Sequence, residues 1–152
     1  MALMCLAAPL GLTTGVASAS GPTAPDGVYR SSADGRYQEH VSPYPHVLDT
    51  ATGARYEPVW AGFVVDPIPG CAVTQTLSVA GSLSTLQTCA TTHQRPVVRS
   101  YPLEGRARTK QFAARAVQPR LSRDGTKLVW TATTATPRRV FDLVNWRFVA
   151  SR

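Results

Sequence analysis

Ser122-Arg123-Asp124-Gly125-Thr126-Lys127-Leu128-Val129-Trp130-Thr131 joins a tight-turn signal to a strand signal, and the rest of the chain reads outward from it. Asp-Gly suits a hairpin because glycine tolerates positive φ and the aspartate side chain bonds nearby backbone. Lys127 to Thr131 then follows a period of two, as a half-buried strand does.

The same turn signal recurs upstream as Ser32-Ala33-Asp34-Gly35 and, without its aspartate, as Ser78-Val79-Ala80-Gly81. The three glycines, Gly35, Gly81 and Gly125, are spaced by 46 and 44 residues. The first and third units go on to an apolar-Asp step, Val47-Leu48-Asp49 and Val140-Phe141-Asp142. In the middle unit Val97-Val98-Arg99-Ser100 falls at a comparable place. A second turn follows at Thr52-Gly53, at Glu104-Gly105 and at Val144-Asn145. Each unit therefore reads as a hairpin, a connection and a further strand pair, about one four-stranded sheet per 40–45 residues.

Ser122 to Trp130 followed by Val140-Phe141-Asp142-Leu143 resembles the blade motif of TolB-type and WD40-like bacterial β-propellers. Ser32 to Tyr37 with Val47 to Gly53 resembles it too. The resemblance implies an all-β chain of three blade-like antiparallel units, about 27–58, 59–105 and 106–152. A closed propeller needs at least four blades. Three units would close as a six-bladed ring in a homodimer, or pack instead as a β-sandwich or small barrel. Otherwise they leave exposed sheet edges.

Other runs fit the all-β reading. Val59 to Val65 is short, apolar and rich in strand formers, Val73 to Val79 alternates, and Val140-Phe141 and Phe148-Val149 are strand-like. Arg106 to Val117 is the one helix candidate, with a basic loop as its alternative, because its apolar residues cluster rather than form a stripe.

Residues 1–19 read as a secretory signal peptide: Ala2 to Val16 is apolar and uncharged, and Ala17-Ser18-Ala19 provides the small residues of a cleavage site. Residues 20–26 are a polar, proline-containing lead-in to a single β domain over 27–152. This predicts a secreted protein whose mature form has no membrane span. The mature chain keeps two cysteines, Cys71 and Cys89, and an even count in an exported chain implies a disulfide. They lie symmetrically about Ala80, so a hairpin folded there would set them face to face.

Sixteen Lys and Arg against nine Asp and Glu give a net charge of +7. Arg95, Arg99, Arg106, Arg108, Lys110, Arg115, Arg120 and Arg123 concentrate that excess, with Glu104 the one acid among them. Such a segment is either an anion-binding surface or a solvated face. His40 and His46 flank a Pro-containing loop without a third ligand nearby, so no metal or other cofactor is implied. No G-x-S-x-G elbow occurs, and Asp34, Asp49, Asp124 and Asp142 have turn or strand-end roles, so no catalytic site is assigned. Trp60, Trp130 and Trp146 lie in apolar runs and read as core.

Ala132 to Val140 is similar to a segment of the secreted subtilisin-inhibitor family of actinobacteria, which relies on two disulfides where this mature chain has one cysteine pair. The sequence thus predicts a non-catalytic exported binding protein whose partner is a protein or an anionic cell-surface polymer. A small protease inhibitor and a hydrolase are the alternatives.

Overall fold

The computed structural model describes residues 27–63, 65, 68–90, 95–112, 117–131 and 138–149. These residues form three four-stranded antiparallel sheets, each with its strands in chain order. Sheet 1 is β1 (Val28–Ser31), β2 (Tyr37–His40), β3 (His46–Asp49) and β4 (Arg55–Tyr56). Sheet 2 is β5 (Cys71–Leu77), β6 (Leu83–Cys89), β7 (Val97–Tyr101) and β8 (Arg108–Gln111). Sheet 3 is β9 (Val117–Leu121), β10 (Lys127–Thr131), β11 (Arg138–Asp142) and β12 (Arg147–Val149). The row of sheets does not close on itself. No helix among the described residues is long and apolar enough to cross a membrane.

The turn chemistry explains the repeat. Asp34 accepts the Ser32 hydroxyl at 2.6 Å and the Arg36 amide at 3.1 Å, while the Ser32 Oγ accepts the Tyr37 amide at 2.9 Å. Asp124, Ser122, Thr126 and Lys127 repeat those bonds at 2.5, 3.1 and 2.9 Å. Bonds to the ionised form, the serine hydroxyl first, hold both carboxyls below their usual range. In the middle unit the Ser78 and Ser82 hydroxyls meet at 2.9 Å in place of the missing aspartate.

The closing bonds run from Ser32 N to Tyr37 O, from Ser78 N to Ser82 O and from Ser122 N to Lys127 O. The middle loop is therefore one residue shorter, and Tyr37, Ser82 and Lys127 are equivalent. Counting these as position zero, even positions face the following sheet and odd positions the preceding one. Tyr37 packs with Leu83 between sheets 1 and 2. Leu86 and Val98 pack with Leu128, Trp130 and Phe141 between sheets 2 and 3. Each sheet contributes too narrow an apolar face to be stable alone, and stacking buries it against the next.

Two polar contacts lock sheet 3 onto sheet 2: Val79 N donates to Asp124 O at 3.0 Å, and Ser84 Oγ–H to Gly125 O at 2.9 Å. Gly125 lies so close to the Ser78 backbone that a Cβ on it would sit 2.8 Å from Ser78 Cα.

Several expectations are corrected. Arg106 to Val117 is not a helix: β8 pairs Lys110 with Val98 and Thr109 with Arg99, and β9 begins at Val117. Its apolar residues form no helical stripe, whereas its polar ones suit a strand beside β7. Because β8 belongs to sheet 2, the boundary between the second and third units moves from 105/106 to the 112–117 connection. Val59 to Phe63 is not a strand but two successive turns, Ala61 N to Pro58 O and Phe63 N to Trp60 O, both 2.9 Å. Gly62 there has φ 75°, and buried Trp60 donates its Nε1–H to Pro102 O at 2.8 Å.

Val97 to Ser100 does not match the apolar-Asp step. Leu83 pairs with Tyr101, as Gln38 pairs with Leu48 and Leu128 with Phe141, so Pro102 falls where Asp49 and Asp142 stand. The third unit's second turn places Trp146 at φ 56°, four residues after Asp142, as Gly53 at φ 74° follows Asp49. The disulfide is as expected: Cys71 and Cys89 are direct cross-strand partners and are bonded.

Candidate anion-binding surface

The acids of the described chain are largely engaged in holding the fold. The Arg36 guanidinium meets both oxygens of buried Asp49, at 2.9 and 3.1 Å, and holds that carboxyl down to about 2. Glu39, with none of its surface exposed, accepts Arg30 at 3.0 Å and the Gly62 amide at 2.7 Å. Burial pushes the Glu39 carboxyl up, against the pull of those two bonds. Arg30 also donates to Phe63 O at 2.9 Å and to Gln75 Oε1 at 2.6 Å, clamping sheet 1 to sheet 2. Asp142 accepts the Val144 and Asn145 amides and the Asn145 side chain at 2.8–2.9 Å.

The eight basic residues singled out from the sequence do not form one patch. Arg99 lies on the odd face of sheet 2, opposite Thr85, whereas Arg108 and Lys110 lie on its even face, opposite Ser100 and Val98. The Lys110 ammonium sits over the Phe141 and Phe148 rings at 5.2 and 5.1 Å, a cation–π contact within the sheet 2/sheet 3 packing. Arg108 donates to Val144 O at 3.5 Å. Arg106 and Arg108 line a cleft of about 270 Å³ that Glu104 also enters. Arg95 and Arg123 are exposed in connections, and Arg115 lies outside the described residues. Arg120 is on the even face of sheet 3, opposite Val129.

That even face gathers cations the sequence reading missed. One row across the four strands is Arg120, Val129, Val140 and Val149. Beside it runs Lys127, Asp142 and Arg147, and on the other side Arg138 pairs with Thr131. Arg120, Lys127, Arg138 and Arg147 are all exposed. The signal was a basic-x-Val spacing on three strands, Lys127/Val129, Arg138/Val140 and Arg147/Val149, which places both residues on one face.

The opposite end of the row is polar. Ser31, Gln38, Leu48 and Arg55 form a row on the odd face of sheet 1. Leu77, Leu83 and Tyr101 stand in those places in sheet 2, and Leu121, Leu128, Phe141 and Phe148 in sheet 3. This row of sheet 1 is thus more polar than its counterparts in sheets 2 and 3. On the same face the His40 and His46 rings stack at 4.9 Å, and no group of three metal-binding side chains occurs among the described residues. Trp60 and Trp130 are buried in the two cores, and Trp146 packs against Phe141 at 5.2 Å. His93, residues 1–26 and Ala132 to Pro137 of the inhibitor-like segment lie outside the described residues.

Comparison of the chain with family models, curated proteins and solved structures finds no match.

Proposed function

We propose that the chain is an exported, non-catalytic binding protein that uses a blade-like scaffold to hold anionic ligands. One observation carries the reading: the fold engages its carboxylates in turns and ion pairs, while many of its arginines are left at the surface without an acid partner. Unpaired surface cations on rigid strands attract anions over about 10 Å at moderate salt. Export is supported by the signal-like residues 1–19 and by the Cys71–Cys89 disulfide, a bond that persists in oxidising compartments.

The test is retention of the disulfide-bonded protein from Ser20 to Arg152 on an immobilised polyanion. Binding at about 50 mM salt that falls steeply towards about 200 mM supports the reading. Flow-through at about 50 mM salt refutes it.

A further inference from the structure

We infer that the even face of sheet 3 is the binding surface, and that it takes a linear phosphodiester polymer across Arg120, Lys127, Arg138 and Arg147. The inference rests on the anion-binding reading above and assigns its site and ligand class. By register Arg120 is the counterpart of Arg30, since Arg30 pairs with Glu39 and Arg120 with Val129 at the same position. Arg30 is held by Glu39, Phe63 O and Gln75. Arg120 has Val129 where Glu39 would be. The one acid on this face, Asp142, already accepts three bonds from its own turn. Arg147 lies near enough to Asp142, and Lys127 to Asp124, to help hold those carboxyls down, but among the described residues no salt bridge ties up any of the four exposed cations. On strands about 4.8 Å apart, with two residues spanning about 6.7 Å, their Cα atoms lie roughly 8–12 Å from the nearest other cation of the set. That is near a Debye length, so the charges reinforce one another.

Size and hydrogen bonding select the ligand. Four strands of up to five residues cover roughly 300 Å² of sheet. A stable protein–protein interface needs about 800 Å² per partner, so the face is too small for a folded partner or a second copy. A polypeptide laid on it would leave its backbone N–H groups without acceptors, because a sheet face presents side chains and not ladder groups. A phosphodiester chain brings acceptors only. Its phosphates suit the arginine forks, and its carbon linkers can lie along half-buried Val140 and exposed Val149.

The experiment measures binding of a fluorescent synthetic glycerol-phosphate oligomer by anisotropy, from about 50 to 200 mM salt, with circular dichroism confirming each variant's fold. Four contacts at about 0.7 ions each give a log–log salt slope near −3. Removing two cations should halve the slope and weaken binding roughly 60-fold at about 50 mM salt. Arg120→Gln with Arg138→Gln, and separately Lys127→Gln with Arg147→Gln, should each do this. Arg106→Gln with Arg108→Gln should change affinity less than about twofold, because these residues line the other cleft. If only the Arg106/Arg108 pair matters, the site assignment is overturned and the anion-binding reading stands. If the unaltered protein does not bind the oligomer but is retained on other polyanions, the ligand class is overturned alone. If it binds none, both fall. Equally tight binding of poly-L-glutamate overturns the assignment to phosphate.

Discussion

Gly35 and Gly125 occupy the same place in equivalent turns, with φ of 74° and 69°, yet differ in what surrounds them. Alanine at Gly35 would meet nothing within 4 Å, whereas a Cβ on Gly125 would press on Ser78 Cα at 2.8 Å and Ser78 Cβ at 2.9 Å. Both substitutions bear the positive-φ cost of about 1 kcal/mol. Gly125→Ala adds overpacking against backbone, which cannot rotate away, for a further 1–3 kcal/mol or so. The expected difference between the variants is thus about 2 kcal/mol. In urea unfolding followed by far-UV circular dichroism, that separates their midpoints by about 1 M. The pair isolates the sheet 2/sheet 3 contact, because the turn itself is common to both. Equal destabilisation within about 0.5 kcal/mol would refute the stacking of the third turn on the second.

Three further outcomes follow from the same contacts. Arg30→Ala leaves buried Glu39 without its counter-ion and should cost about 3–5 kcal/mol. That cost should shrink at low pH, where Glu39 protonates, so unfolding curves at about pH 4 and pH 8 check both size and sign. Asp49 is held down to about 2, so the stability it adds is present above its ordinary value of 3.8 and is lost as pH falls towards 2. An acid titration of Arg36→Ala, in which that loss moves to higher pH, tests it. Replacing Cys71 and Cys89 together by serine should lower stability by about 3 kcal/mol for a loop of 18 residues. Urea unfolding with and without reductant measures it, and non-reducing peptide mapping must find the pair linked.

The parts of the fold legible in the sequence are those set by local chemistry. Asp34-Gly35 and Asp124-Gly125 announce hairpins because their bonds lie within a few residues. Cys71 and Cys89 could be paired because an odd-length loop fixes the register about Ala80. The middle unit was harder. Its two tight turns are each one residue shorter, its β6–β7 connection is longer, and with Pro102 in place of an aspartate the motif no longer marks the strand end. Trp146 hid a turn because an aromatic residue seldom takes positive φ. The cationic face escaped for a different reason. Arg120, Lys127, Arg138 and Arg147 are dispersed along the chain and meet only across four strands, whereas the dense run from Arg95 to Arg123 is divided between faces.

The stacking rule, even faces on odd faces, underlies both the cores and the placement of the cationic face. It is tested most directly by nuclear Overhauser effects in solution between Gly125 Hα and the protons of Ser78 and of the Thr76 methyl group. A Cβ built on Gly125 lies 2.8 Å from Ser78 Cα and 3.1 Å from the Thr76 methyl carbon, so strong cross-peaks are expected. Resolved resonances with no such cross-peaks would contradict the account.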